Sequence, residues 1–347
     1  MRKVCICGHL ADGTNMNDGQ TVKTRMLREE LKRHLGAAEV YCIDTHGRIK
    51  QVLMFPKLVY GLICCRNVII LPAQNGLPLM AGWLCCWNNV FHRKIHYSVI
   101  GGWLAGFLDN DSRTKAYLAR FDKIYAETTT MKRALEARGF SNVVVIPNCK
   151  SLPIVSEDRL RREYDIPYRL VTFSRVMKQK GIEDLIDTVW AINSDKGKTV
   201  YQLDVYGPVD PEEQDWWKGQ MKRIDQTDYI NYRGSAPADK SVEILSEYFA
   251  LAFPTRFYTE GIPGTIIDAY AAGLPVISAK WESFGDLVDD GATGLGFGFE
   301  DWDELKALLL LVSEDPSIIA DMKKACIKKA KEYLPSNVIP MIINELY

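Results

Sequence analysis

The run FPTRFYTEGIPGTIIDAYAAGLPVI, which begins at Phe253, sets Glu260 in a loop of Gly, Pro and aromatic residues and Asp268 eight positions on, inside a helical pattern. Gly261 and Gly264 permit backbone conformations and close approach that a side chain would block. The pattern predicts a helix starting near Gly264 or Thr265, whose first N–H groups have no intrahelical partner and whose dipole is positive at that end, so an anion is stabilised there. Gly264 and Thr265 would supply amides and Thr265 a hydroxyl, whereas Pro263 has no N–H to give. Asp268 lies about 6 Å further along the axis, a carboxylate suited to accept hydrogen bonds from a sugar diol. Glu260 precedes the cradle and would meet whatever is joined beyond the phosphate. A phosphate between two acids suggests a nucleoside diphosphate with a sugar on its far end.

Such a diphosphate calls for cations. SRVMKQKG supplies Arg175, Lys178 and Lys180 just ahead of a helical pattern. Arginine grips phosphate oxygens in a bidentate fork and lysine acts as a point charge, and together they would stabilise charge developing on a leaving diphosphate. Alone, such a cluster is more often a solvated helix entry.

The elements that would position these residues alternate along the chain. KVCIC is a short apolar strand, and after a loop with Gly8, Gly13 and Gly19 a helix runs from about Gln20 to Leu35, with Val22, Met26, Leu27, Leu31 and Leu35 at helical spacing and Asp18 or Asn17 as N-cap. Further strands are predicted at EVYCI, NVIILP, KIHYSVIG, KIYAE and NVVVIP, which makes one Rossmann-like unit. The pattern restarts at YRLVTFS, continues through the helix GIEDLIDTVWAI and the strands YQLDVYG, INYRG, LAFP and LPVIS, and makes a second unit. The strandless stretch from 148 to 168 is the natural linker. Two such units facing across a cleft would place a ligand where strand ends meet it. The loop with Glu260 follows LAFP, at such a strand end.

Composition bounds the class. The chain has 347 residues and a net charge of −1, enough for about two ordinary domains. Residues 1–150 hold 21 Lys and Arg against 11 Asp and Glu, a net of +10; residues 151–347 carry −11 and none of the five histidines. The basic half suits nucleic acid, anionic lipid or a phosphate-bearing substrate; equally, the two halves simply attract each other. Nine cysteines, an odd number with pairs at 5/7, 64/65 and 85/86, fit neither a disulfide framework nor a CxxC metal site and point to a reducing cytosol. The start MRKVCICG is too short for a signal-peptide core. QVLMFPKLVYGLICC, broken by Pro56, Lys57 and Gly61, and LPLMAGWLCCWNNVFHRK, which carries Asn88 and Asn89, both fall short of the ~20 apolar residues of a spanning helix. Trp83, Trp87 and Phe91, followed by Arg93 and Lys94, form an aromatic stripe that serves either core packing or contact with a lipid surface.

Several of these stretches together resemble retaining glycosyltransferases of the GT-B fold, specifically glycosyltransferase family 4. The run from Glu260 to Asp268 resembles the E-x7-E motif, FSRVMKQKG the GR…KG loop, NVVVIPNC a strand end, and DAYAAGLPVIS…GDLVDDGATG the segment after the motif. The likeness extends over nearly the whole chain, is strongest in residues 140–300 and is diffuse in the first 100. It implies an acceptor-binding domain of residues 1–155, a donor-binding domain of 156–335, and a final helix, 336–347, that crosses back to the first. By position, Arg175 and Lys180 match the pair that holds the donor diphosphate and Gly264 and Thr265 the cradle. Asp268 matches the acid that binds the ribose, and Glu260 the acid that contacts the transferred sugar and carries the catalytic role. Arg233 matches the loop bordering the base, and Gly19 the backbone near the diphosphate and acceptor.

Two departures stand out. The second acid is Asp, one methylene shorter than the motif's Glu. Where many relatives carry a His after the fourth strand this chain has Gly101 and Gly102, and His96 comes too early to replace it. A His-dependent mechanism is therefore not expected. The glycine pair either lets the backbone approach sugar or acceptor or simply makes a tight strand-to-helix turn. DND at Asp109–Asp111 looks like a metal motif of a different glycosyltransferase fold, in the wrong architecture. The histidines lack metal-ligand spacing, and Gly8, Gly13 and Gly19 do not form GxGxxG. The resemblance thus implies metal-independent transfer of a hexose from a nucleotide sugar, UDP favoured, to a saccharide acceptor in bacterial surface polysaccharide synthesis. It further implies an acceptor linked to undecaprenyl pyrophosphate at the inner face of the membrane, reached from the cytoplasm through the basic first domain, with no role for nucleic acid. A soluble acceptor, or a nucleotide-sugar binder without turnover, are the alternatives.

Overall fold

The computed structural model describes residues 1–14 and 18–347, apart from the side chains of 48–52 and 238. In the first half the strands are β1 (Arg2–Gly8), β2 (Val40–Asp44), β3 (Cys65–Leu71), β4 (Lys94–Ser98), β5 (Lys123–Ala126) and β6 (Val143–Val145). Between them run α1 (Gly19–Leu35), α2 (Arg48–Cys64), α3 (Leu77–Phe91), α4 (Leu104–Asn110), α5 (Ser112–Leu118) and α6 (Thr129–Glu136). The second half contributes β7 (Tyr168–Phe173), β8 (Tyr201–Tyr206), β9 (Ile230–Gly234), β10 (Ala250–Phe253), β11 (Val276–Ala279) and β12 (Gly294–Phe297). Its helices are α7 (Ile182–Lys196), α8 (Gln214–Ile224), α9 (Ser241–Leu245), α10 (Gly264–Ala271), α11 (Phe284–Leu287), α12 (Trp302–Glu314) and α13 (Ser317–Ala330), and the chain closes with α14 (Pro335–Leu346).

Two compact units result. The first comprises Met1–Ser151, Thr259–Ile262 and Tyr333–Tyr347, and the second Leu152–Tyr258 and Pro263–Glu332. Four residues of the Glu260 loop, 259–262, and the chain from 333 onward thus belong to the first unit. Each unit has one parallel sheet of six strands, ordered β2-β1-β3-β4-β5-β6 and β12-β11-β10-β7-β8-β9.

Alternation along the strands sorts the helices of the first unit. Cys5, Cys7, Val68 and Ile70 pack on one face with residues of α2 to α6, while Val4, Ile6, Ile69 and Leu71 face the other way, onto α1 and α14. The final helix thus crosses back to the first unit as the resemblance implied, with Val338, Ile339, Ile342 and Leu346 buried there and Asn67 Nδ2 donating to the Leu346 carbonyl at 3.2 Å. In the second unit, Leu170, Leu203, Ala252 and Ile277 join Ile182, Leu185, Val189 and Leu305 in one core.

Asp18 caps α1 by accepting from Thr21 N at 3.1 Å; Asn17, the other candidate, lies outside the described residues. The stretch around Pro56, read as interrupted, is one 17-residue helix with Pro56 inside it. An interior proline costs about 3 kcal/mol, which burial of Met54, Leu58 and Leu62 on the core side offsets. Strand β12, GLGF, was not anticipated; it is short and half glycine, so neither strand propensity nor alternation marks it. No helix among the described residues is long and apolar enough to cross a membrane.

Candidate active site

Strand order in the second unit reverses between β10 and β7: from β7 the chain builds outward through β8 and β9, and from β10 it builds the opposite way through β11 and β12. Open α/β sheets bind ligands at the carboxyl ends of the strands at such a switch point. The loops leaving those two strands carry Arg175–Lys180 and the approach to α10, and they are tied together. Arg256 N donates to the Gln179 carbonyl at 2.8 Å, and Arg256 Nη2 to Asp184 Oδ1 at 2.7 Å. Gly181 has φ +67°, and a Cβ there would overlap the Pro254 carbonyl oxygen, so only glycine fits behind Lys180. Lys180 Nζ stands over the rings of Phe257 and Phe253, 4.9 and 5.5 Å from their centroids. Arg175 Nη1 pairs with Asp210 at 3.3 Å, and the side chain is half exposed.

Helix α10 begins at Gly264 as the pattern predicts, with Pro263 as an N-cap that gives no side-chain hydrogen bond. Its early amides are therefore without the usual side-chain cap. The Thr265 hydroxyl is buried and has no partner among the described residues. An unsatisfied buried hydroxyl costs roughly 1–3 kcal/mol, which a ligand oxygen at the helix end would relieve. Asp268, one turn in, is only 3 % exposed, so a hydroxyl reaching its carboxylate has a narrow approach. Arg233 at the end of β9 donates from Nε to Asp204 at 3.1 Å. Asp204 also accepts from Tyr248, Asn231 and Arg169. Burial would raise the Asp204 carboxyl, but the hydrogen bonds from Tyr248, Arg233 and Asn231 outweigh it and hold it below the usual carboxylate range. Arg233 thus serves a buried carboxylate with one edge of its guanidinium.

Glu260, half-buried, sits in the segment assigned to the first unit. Gly102 N donates to the Thr259 carbonyl at 3.0 Å, and a Cβ at Gly102 would overlap that carbonyl. Gly102 therefore lies directly against the protein's own Glu260 loop. Gly101, at φ +77°, turns the chain between β4 and α4. Among the described residues a Cβ at Gly19 would meet nothing within 4 Å, so internal packing does not demand glycine there.

The first unit has its own switch point, between β1 and β3. A cavity of about 630 Å³ opens there, lined among others by His9, Gln20, Phe55, Pro72, Leu79 and Met80. His9 Nδ1 lies 2.8 Å from the Thr21 hydroxyl and His9 Nε2 2.9 Å from His46 Nδ1. From the sequence these two histidines read only as surface or satisfied core residues without metal-ligand spacing, and Arg256 was not singled out. A histidine directly after the glycine that ends β1, and an arginine inside the Glu260 run, were the available signals. His96 is instead a satisfied core residue, between Asn67 and Tyr125, and burial pushes its imidazole down to about 3. Asp109 pairs with Arg138 and Asp111 caps α5, so both ends of DND have structural work. No group of three or more potential metal ligands occurs among the described residues, and all nine cysteines are free thiols.

Two parallel Rossmann-like sheets, with a last helix returning to the first, define the GT-B fold. HepE of Anabaena, solved in complex with UDP and glucose, superposes with a TM-score of 0.73 at 14 % identity, over 99 % of this chain and 98 % of its own. The model of the family described as glycosyl transferases group 1 matches residues 157–333, just over half of the chain. The protein belongs to that family. Curated relatives include the amylovoran biosynthesis glycosyltransferase AmsK of Erwinia amylovora, 24 % identical over 160 residues, 45 % of this chain and 38 % of AmsK. The putative colanic acid biosynthesis glycosyltransferase WcaL of Salmonella typhimurium (strain LT2) is 22 % identical over 191 residues, 52 % of this chain and 43 % of WcaL. The matched regions thus span about two-fifths of the length of these relatives.

Proposed function

We propose that the protein is a retaining glycosyltransferase of the family 4 type that moves a hexose from a nucleoside diphosphate sugar, UDP favoured, to a saccharide acceptor in surface polysaccharide synthesis. The observation that carries this reading is the unpartnered Thr265 hydroxyl at the start of α10, on the loop leaving one strand of the switch point, with Arg175 and Lys180 on the loop leaving the other. The amides of Gly264 and Thr265 and the two cations hold the diphosphate. Asp268 takes the ribose hydroxyls, Arg233 borders the base with the guanidinium edge not committed to Asp204, and Gly19 leaves room for the backbone to approach. As the sugar–phosphate bond breaks, the electron pair goes to the diphosphate, where the cations stabilise it. The acceptor hydroxyl attacks from the same face and passes its proton to a departing phosphate oxygen. Glu260 stabilises the positive character of the sugar, and neither a metal nor a histidine base is assigned a part.

Calorimetric titration of UDP-, GDP- and ADP-sugars tests the donor site. One nucleotide class should bind the wild type, with affinity reduced about tenfold in Thr265→Val, the worth of one hydrogen bond, and at least as much in Asp268→Ala. No binding, or binding untouched by both changes, overturns the reading; binding without turnover of any acceptor makes the protein a binder.

A lipid-linked acceptor of the undecaprenyl-pyrophosphate kind, and with it contact at the inner membrane face, is the finer proposal. Leu53, Tyr60 and Ile63 on α2 and Leu79, Trp87 and Val90 on α3 are 41–68 % exposed, and Phe55, Trp83, Trp87 and Phe91 form a chain of ring contacts across these helices. Exposed Lys57 lies on α2, and the half to which it belongs carries +10. Apolar surface beside cations suits an anionic interface. Co-sedimentation with anionic vesicles is expected at low salt, several-fold less in 0.5 M salt, and several-fold less in Trp87→Ser/Val90→Ser. Equal recovery in the supernatant with and without vesicles would favour a soluble acceptor.

A further inference from the structure

The geometry points to Glu127, together with Lys23, as the pair of positioning residues that holds Glu260 in place, an inference that rests on the catalytic role proposed for Glu260. Lys23 on α1 and Glu127 at the carboxyl end of β5 are both nearly fully buried, 8 and 4 % exposed. Lys23 Nζ donates to Glu127 Oε1 at 2.5 Å and to the Val99 carbonyl, beyond β4, at 2.7 Å. The other carboxylate oxygen, Oε2, accepts from the backbone N–H of Ile262 at 3.0 Å. Asn148 Nδ2 donates to the Ile262 carbonyl at 3.2 Å, and the Gly102 N–H fixes the Thr259 carbonyl on the other side. Glu260 is thereby bracketed by main-chain anchors one residue before it and two residues after it. A Cβ at Gly261 would overlap Glu127 Oε2, so the loop sits directly against the carboxylate.

Burying an ion pair costs several kcal/mol that the pair recovers only with good geometry and further hydrogen bonds. Apolar residues of similar volume at 23 and 127 would often fold as well or better. What an apolar pair cannot do is accept the Ile262 N–H, and that is the function assigned here. Neither residue touches substrate; they act through the placement of Glu260, and misplacement by about 1 Å can cost on the order of 10²-fold in rate.

Two double variants separate this from a structural role. Lys23→Met/Glu127→Gln removes both charges and keeps an amide oxygen for Ile262; Lys23→Met/Glu127→Met removes the acceptor as well. Both should melt near the wild type. In the Met/Met variant, hydrogen exchange at Ile262 should quicken at least about tenfold and kcat fall roughly 10- to 100-fold, with the donor KM within about twofold. In the Met/Gln variant both should stay within about threefold of wild type. Wild-type exchange and kcat in the Met/Met variant overturn the inference. Should that variant fail to fold, Glu127→Asp keeps the charge for Lys23 but draws the carboxylate back from Ile262. Faster exchange at Ile262 supports the anchor, and unchanged exchange removes it. If the wild type turns over no nucleotide sugar, the transferase reading fails by that result, while exchange at Ile262 still decides whether Glu127 anchors the loop.

Discussion

Glu260→Gln is expected to lower kcat on the order of 10³-fold and to leave donor affinity within about threefold of wild type. The substitution keeps the size of the side chain and one acceptor oxygen, turns the other acceptor into an N–H donor and removes one negative charge. In the ground state the transferred sugar is neutral, so that charge adds little to binding. In the proposed transfer, positive charge develops on the sugar as the sugar–diphosphate bond lengthens, and a carboxylate on a loop anchored at Thr259 and Ile262 would stabilise it without reorganisation. A factor of 10³ corresponds to about 4 kcal/mol of transition-state stabilisation. Steady-state kinetics with the donor found by calorimetry checks it. Loss of donor affinity with kcat unchanged would place Glu260 in ground-state recognition instead.

Replacing Lys323 by Met is expected to stabilise the protein by about 2–3 kcal/mol at pH 7, with most of the gain gone by pH 10. Lys323 lies on α13 at 2 % exposure, donates to the Gly273 carbonyl at 3.4 Å and stands 5.3 Å from the Tyr164 ring centre. Burial lowers its pKa to about 8, and Arg161 adds to the shift. Because the folded pKa is depressed below the ordinary lysine value, the unfolded chain binds more protons between about pH 8 and 10.5, so stability rises with pH through that window. Below pH 8 the full cost of keeping the buried ammonium charged is present, and methionine escapes it. Chemical denaturation of both proteins at pH 7 and pH 10 measures the difference. A stabilisation that does not change with pH would assign the effect to packing rather than charge.

What could be read in the sequence was what repeats locally. Strand β1 and helix α1 show apolar residues at the strand and helix periods, and the N-terminus of α10 is marked by Pro263 and Gly264, so these elements are found where expected. Helix α2 was obscured because Pro56 and Gly61 read as breaks. In the structure Gly61 lies where a Cβ would crowd Cys5 Sγ, and burial of the apolar face carries the helix through the proline. The residues proposed to hold the donor could be named from the sequence because Arg175, Lys180 and the α10 entry sit in short runs next to strands. The anchor of Glu260 could not, since Lys23, Glu127 and Ile262 are separated by more than 100 residues at each step and no local period links them. The same holds for His9 and His46, 37 positions apart, which meet only because β1 and β2 are neighbours in the sheet.

The return of α14 to the first unit also bears on how the chain is made. Val338, Ile339, Ile342 and Leu346 cover the face of the first sheet that carries Val4, Ile6, Ile69 and Leu71. A ribosome delivers residues 1–151 long before those four. Throughout synthesis of the second unit, that apolar face waits without part of its cover, exposed to chaperones or to other nascent chains. The second unit has all of its segments once residue 332 has emerged, so the domain translated first is the one completed last.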